Sequence, residues 1–278
     1  MSVTATTRQQ SSGSHSTSIL MRVPSPHPGA GALTASRVFV GRSMKHSLRD
    51  GEGMMLAIVL PVMLMLLFTY VFGGAIDPSG GYLDFVIPGI IVLCSGFGAA
   101  SVAVSVNRDI TGGAMQRFRS LPMPAATCLV GHVVASVLRN LVATGIVLGL
   151  GLLLGFRPSA GPLEWLATAG LVIAWIVAVT VIFAAIGLMS SSPEAANGYG
   201  FIILFLPYLS SAFVPLDSLP RWLSPVAAVQ PVTPLVESVR ALLLGTDPGS
   251  QPVWALLWCA GIVVAGAVVI AWRFPRQA

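Results

Sequence analysis

Trp165–Met189 reads WLATAGLVIAWIVAVTVIFAAIGLM, a run without a charged side chain. Crossing roughly 30 Å of hydrocarbon takes about 20 apolar residues in a helix, and this run is long enough. It is continuously apolar and shows no alternation of period two, so a helix is expected rather than a barrel strand. Similar intervals lie at Met54–Ala75 with Pro61 inside, at Phe85–Val106, in a third run ending near Phe156, at Ala195–Val214 with Pro207 inside, and at Val253–Trp272. Proline within a span is tolerated where neighbouring helices or hydroxyls satisfy the freed carbonyl. The expected fold class is an all-α polytopic membrane protein with six transmembrane helices.

Composition agrees. The chain has 278 residues, 55% hydrophobic and 9% charged, whereas a soluble domain carries about 25% charged residues. Six spans and their loops use up this length, so no second folded domain of ordinary size is expected.

Lysine and arginine set the expected orientation. With six spans both termini share a side, and that side carries Arg8, Arg22, Arg37, Arg42, Lys45, Arg49, Arg108, Arg117, Arg119, Arg273 and Arg276. The other side carries Arg157, Arg221 and Arg240, and Arg139 falls within the third span. The asymmetry places both termini in the cytoplasm of a multi-pass protein of the cell membrane. The net charge of +5 is then a topology signal, and no nucleic-acid partner is expected.

Residues 1–32 are rich in Ser, Thr, Gln and Pro and lack the apolar core of a signal peptide; a disordered cytoplasmic tail is expected. From Leu33 to Arg49 the pattern changes. Leu33, Val40, Met44 and Leu48 share one helical face, with Arg42, Lys45, His46 and Arg49 broadly opposite. That suits an interfacial helix in the headgroup region; the alternative is an ordinary positive flank. Asp50-Gly51-Glu52-Gly53 is expected to break it before the first span.

The third run, Ala125–Phe156, is too long for one upright crossing and holds His132 and Arg139. If the crossing is Val137–Phe156, Arg139 snorkels at the boundary. If the helix begins near Thr127 and tilts, Arg139 and Asn140 face the protein interior, as pathway or packing residues. Gly145/Gly149 and Gly151/Gly155 are small-residue pairs that permit close helix contact. Between the last two runs, prolines cut Pro215–Pro252 into pieces expected to be short, half-buried helices on the outer side. In one piece Thr233 suits a cap, Pro234 the first helical position and Gly245 the stop. Leu235, Val239, Leu242 and Leu243 form its apolar stripe, and Glu237 with Arg240 is placed on the other face. Trp222 suits an interface anchor.

Catalytic chemistry has little to stand on. Lys45 is the single lysine and no G-x-x-x-x-G-K-[ST] occurs, so the chain cannot hydrolyse ATP through a phosphate-binding loop of that kind. Cys94, Cys128 and Cys259 include no C-x-x-C, and no histidine spacing suits a metal. No cofactor is expected. His132 has no neighbouring carboxylate in sequence, so no Ser-His-Asp set can be argued. The carboxylates fall in loops or at span ends, whereas a proton- or sodium-coupled carrier keeps one within the bilayer. The chain reads as a pathway without its own energy source.

One cytoplasmic stretch stands apart: Asn107–Pro124, NRDITGGAMQRFRSLPMP. Thr111–Leu121 can form a short helix that Pro122 ends. Ala114, Phe118 and Leu121 share a face flanked by Arg117 and Arg119, an apolar knob with guanidiniums that suits a groove on a partner. The alternative is a solvated basic loop that only sets topology.

The run Arg117-Phe118-Arg119-Ser120-Leu121-Pro122-Met123, preceded by Asp109 and Gly112, resembles the cytoplasmic loop of type-2 ABC exporter permeases of the daunorubicin-resistance kind. A second match is Phe213-Val214-Pro215, then Leu219-Pro220, Trp222-Leu223, Pro225-Val226 and Gln230-Pro231-Val232-Thr233-Pro234. The resemblance covers about Leu33 to the C-terminus and implies that 33–278 is an ABC exporter transmembrane domain. It also implies that Ala114, Arg117, Phe118, Arg119 and Leu121 form a coupling helix against an ABC ATPase subunit. Two ATPase copies, a second permease copy or paralogue, the lipid bilayer and a small amphipathic substrate are the partners it implies. Gly131-His132 departs from the Gly-Arg of the family, and Pro124 is a second departure. A polysaccharide or glycolipid export permease is the nearest rival, and a polytopic membrane enzyme or scaffold is the reading of a different class.

Overall fold

The computed structural model describes the backbone of residues 51–77, 81–112 and 126–277, and the side chains of 58–77, 81–112, 131–200 and 205–273. Among the described residues the chain is all helical. The long elements are α1 (Gly51–Leu66), prolonged by a π-helical turn (Leu67–Phe72) and α2 (Gly73–Ile76), then α3 (Tyr82–Thr111), α4 (Ala126–Leu154) and α5 (Pro162–Met189). The shorter α6 (Pro193–Leu204) leads to a 3-10 turn (Leu206–Leu209). A second such turn (Leu216–Ser218), α7 (Ser224–Val229) and α8 (Val232–Leu244) precede the long α9 (Gln251–Gln277).

Among the described residues, five helices are long and apolar enough to cross a membrane: Ile58–Ile76, Tyr82–Thr111, Gly131–Leu154, Pro162–Met189 and Gln251–Arg273. They are not equivalent. In its most apolar window α3 is 78% buried, against 17% for the first and last spans. α3 packs on α1, α4, α5, α6 and α8, and its buried face runs from Tyr82 through Val86, Ile90 and Leu93 to Val106. The outer helices instead expose large apolar side chains, such as Met63 and Val71, Val142 and Leu153, or Val264 and Val268. A rim of that kind suits hydrocarbon and would be costly in water.

Several expectations shift. Gly51, Glu52 and Gly53, expected to interrupt the helix, are helical and belong to α1; Asp50 lies outside the described residues. α3 runs to Thr111, so Arg108 and Asp109 are helical and Gly112 caps it. α4 is one continuous helix over Ala126–Leu154, so no separate entry segment precedes Val137. Of the glycine pairs, Gly151 closes on Ile87, whereas Gly145 and Gly149 have open space beside them.

The expected fifth span is not one helix. α6 has 12 residues and rises about 18 Å, well short of the bilayer. It gives way to the turn around Pro207 and then to irregular backbone. The reason is local: proline cannot donate and disfavours helix in the residue before it. α6 nevertheless packs on α3. At the Thr111 end of α3, Asn107 Nδ2 donates to the Gly187 and Ser190 carbonyls just before α6. At the Tyr82 end, the Tyr82 hydroxyl donates to the Phe213 carbonyl just after it, at 2.7 Å.

Short helices precede the last span, as expected. Gly245 ends α8 with φ +67, a left-handed cap that glycine adopts without strain. The start differs. Pro231 sits at the N-cap, and Thr233 turns its hydroxyl to the Ala227 carbonyl and accepts from the Ser211 N–H. Trp222 is 75% exposed. The expected tail 1–32 and the interfacial residues Arg42, Lys45 and Arg49 lie outside the described residues.

Candidate functional site

Polar side chains inside a membrane bundle mark its working parts, because each must find a partner there. In this chain they fall at three levels along α3.

The first level is at the Thr111 end. Asn107 is 1% exposed and bonds the C-terminal carbonyls of α5 at 3.0 and 2.7 Å. Gly187 makes this possible: a Cβ there would collide with the Ala103 backbone, so α3 and α5 touch main chain to main chain. Two residues on, Asp109 Oδ2 meets His132 Nε2 of α4 at 2.8 Å. Opposite them α6 starts on a cap: Ser192 Oγ accepts from the Ala195 N–H, and Pro193 follows it. The Glu194 carboxyl is held below the usual carboxylate range by its own backbone N–H, then by the Ser192 hydroxyl, with the Arg108 charge a smaller contribution. Sequence spacing missed the Asp109–His132 pair because 23 positions separate the two residues. The signal was present only as two polar residues near adjoining span ends.

Residues 113–125 leave from this level. They contain Ala114, Arg117, Phe118, Arg119 and Leu121, which lie outside the described residues.

The second level crosses the middle of α3. Arg139 of α4 lies between α4 and α3, with Nη2 donating to the Gly98 carbonyl and the Ser101 hydroxyl, both at 2.5 Å. It faces protein, in keeping with the long α4. Asn140 is fully buried; its Nδ2 donates to Ser136 Oγ at 3.2 Å, and Ser136 meets Thr180 of α5 at 3.0 Å. A Cβ on Gly98 would overlap Asn140 Oδ1. Arg139 and Asn140 thus join α3, α4 and α5 through adjacent residues of one helix.

The third level is at the Tyr82 end, and there the sequence misled. α8 packs against α3, α5 and α9, so Arg240 has no water-facing side; it is 9% exposed. Its Nε and Nη2 donate to the Phe85 carbonyl, Nη2 also donates to the Ser211 carbonyl, and Nη1 meets Glu237 at 2.6 Å. The guanidinium lies 3.8 Å from the centre of the Phe85 ring. Burial pushes the guanidinium pKa down, and Glu237 opposes the shift. Around it, Gln230 Nε2 donates to the Leu206 and Leu209 carbonyls at 3.2 and 2.9 Å. Phe213 stacks between Phe68 and Tyr208. The irregular backbone after α6 is thus hydrogen-bonded at Leu206, Leu209 and Ser211 by side chains of the α7–α8 segment. In Gln230-Pro231-Val232-Thr233-Pro234 the glutamine and threonine are the residues that do this.

Comparison with known proteins follows the same span. The ABC-2 type transporter family matches residues 34–244. The daunorubicin resistance ABC transporter permease protein DrrB1 of Streptomyces coeruleorubidus is 34% identical over 218 residues, covering 77% of this chain and 74% of that protein. The probable doxorubicin resistance ABC transporter permease protein DrrC of Mycobacterium tuberculosis is 28% identical over 257 residues, covering 88% of this chain and 92% of that protein.

Proposed function

The chain belongs to the ABC-2 type transporter family, and from that premise we propose that it is the membrane-spanning permease of an ATP-driven drug exporter. The observation that carries this reading is the 34% identity to a daunorubicin resistance permease across 77% of the chain. Energy comes from a separate ABC ATPase, since the sequence holds no phosphate-binding loop of the G-x-x-x-x-G-K-[ST] kind. The substrate is an amphipathic, drug-like compound. Two permease copies, or one copy and a paralogue, enclose the pathway, and two ATPase copies close on ATP beneath them.

Six crossings fit this reading, with Ala195–Val214, most of α6 and the irregular segment after it, as the fifth. Support comes from the packing of α6 on α3 and from the Tyr82 bond to the Phe213 carbonyl. Both termini are cytoplasmic, which rests on the Lys and Arg distribution. Residues 33–278 form the transmembrane domain, 1–32 a tail, and Arg42, Lys45 and Arg49 the polar face of an interfacial helix. Ala114, Arg117, Phe118, Arg119 and Leu121 form the coupling helix that meets the ATPase.

The test is to express the chain with candidate ATPase subunits in cells that accumulate daunorubicin. An ATPase should co-purify, and accumulation should fall only with both proteins present. Co-purification with unchanged accumulation would overturn the drug assignment; no co-purifying ATPase would overturn the permease reading.

A further inference from the structure

Residues 113–125 leave from the end of α3 and re-enter at the start of α4, so these two helices are the stems of that loop. A push on the loop loads both stems at once. Whether it tilts the helices or merely splays the stems depends on what ties the stems together at their base.

Asp109 and His132 lie at that base. Asp109 is in the last turn of α3, and His132 lies on α4. Their side chains meet at 2.8 Å with exposures of 37% and 19%. Asn107, half a turn away, holds the same end of α3 to the Gly187 and Ser190 carbonyls of α5. The end of α3 is thus joined to α4 through Asp109 and to α5 through Asn107. Resting on the permease reading above, we infer that Asp109 and His132 are a positioning pair for transport: they clamp the loop's stems, so that movement of 113–125 turns α3, α4 and α5 as one body.

The chemistry separates this role from a structural one. A pair this exposed contributes little to folding, so its loss leaves the helix bundle in place. A mechanical clamp needs only that opposite or hydrogen-bonding groups meet there, whichever helix carries which. Among the described residues, Arg108 and Glu194 lie on α3 and α6 and do not bridge the stems.

The experiment uses the full chain with its co-purified ATPase in inverted membrane vesicles. ATPase retention, ATP hydrolysis and ATP-dependent daunorubicin uptake are measured for Asp109→Ala, His132→Ala, His132→Arg and the exchange Asp109→His with His132→Asp. Asp109→Ala and His132→Ala should keep the ATPase bound and hydrolysing, while uptake falls about tenfold, within the range that coupling residues reach. His132→Arg should transport like the parent, and the exchange should recover to within about threefold. Parent-level uptake in both single variants would overturn the inference. So would an exchange variant no better than the singles, since that outcome means the residues act separately. A parent chain that holds no ATPase and moves no daunorubicin would remove the permease reading, and this inference with it.

Discussion

The Arg240 guanidinium directs its donors to two backbone carbonyls and one carboxylate, on three different segments. Hydrogen bonds to charged groups contribute about 1.5–3 kcal/mol each. Arg240→Ala should therefore destabilise the protein by about 2 kcal/mol or more, and Arg240→Lys should fall between, because an ammonium cannot fork as a guanidinium does. Thermal unfolding in detergent reads both. Gly98 offers a sharper test. Gly98→Ala drives a methyl into Asn140 Oδ1 and should cost about 1–3 kcal/mol. Adding Asn140→Ala should return part of that loss, because the colliding atom is gone; additive losses in the double variant would show that the two residues do not share one space. Neither contact was legible in the sequence. An acid three residues before Arg240 is also the pattern of a solvated pair, and a glycine in an apolar run carries no mark of what lies beside it.

Helices were far easier to read than their interruptions. The charge-free runs located α1, α3, α5 and α9 because removal from water is a property of the whole run. The break after α6 was not legible, because Pro207 is compatible both with a kinked span and with a terminated helix. What decides is whether the freed carbonyls find partners elsewhere, and Gln230 and Thr233, far along the chain, supply bonds to this segment. Those side chains should therefore matter more than their place in a short outer segment suggests. Gln230→Ala combined with Thr233→Val leaves the Leu206, Leu209 and Ala227 carbonyls without these donors. The expected cost is about 1–3 kcal/mol for each unsatisfied group that stays buried, with faster protease cleavage between α6 and α7. Cleavage and unfolding unchanged from the parent would show that the irregular backbone does not depend on them.

For the molecule as a whole, the class and the family resemblance were legible because both rest on linear features: long apolar runs, lysine and arginine placement, and two short motifs. The network among helices was not, since Asp109, His132, Asn107 and Ser190 come together only when α3, α4 and α5 pack. Function at this scale is tested through the loop. Phe118→Ala and Arg117→Glu should abolish most efflux while the chain stays inserted and abundant. Truncating an aromatic anchor removes about 2 kcal/mol or more of binding, and a reversed charge costs several kcal/mol where the partner surface is acidic and desolvated. ATPase pull-down and efflux at equal membrane levels check this; full activity in both variants would return the loop to a topology signal. The central place of α3 has a further consequence, for biosynthesis. It leaves the ribosome early, yet α4, α5, α6 and α8, which all pack on it, follow it. Ser95 and Asn107, buried in the finished protein, must wait among lipids or chaperones until those helices arrive. Nascent chains ending before Val232 should thus be degraded quickly, and membrane quality control should release this protein only once synthesis has passed Leu244.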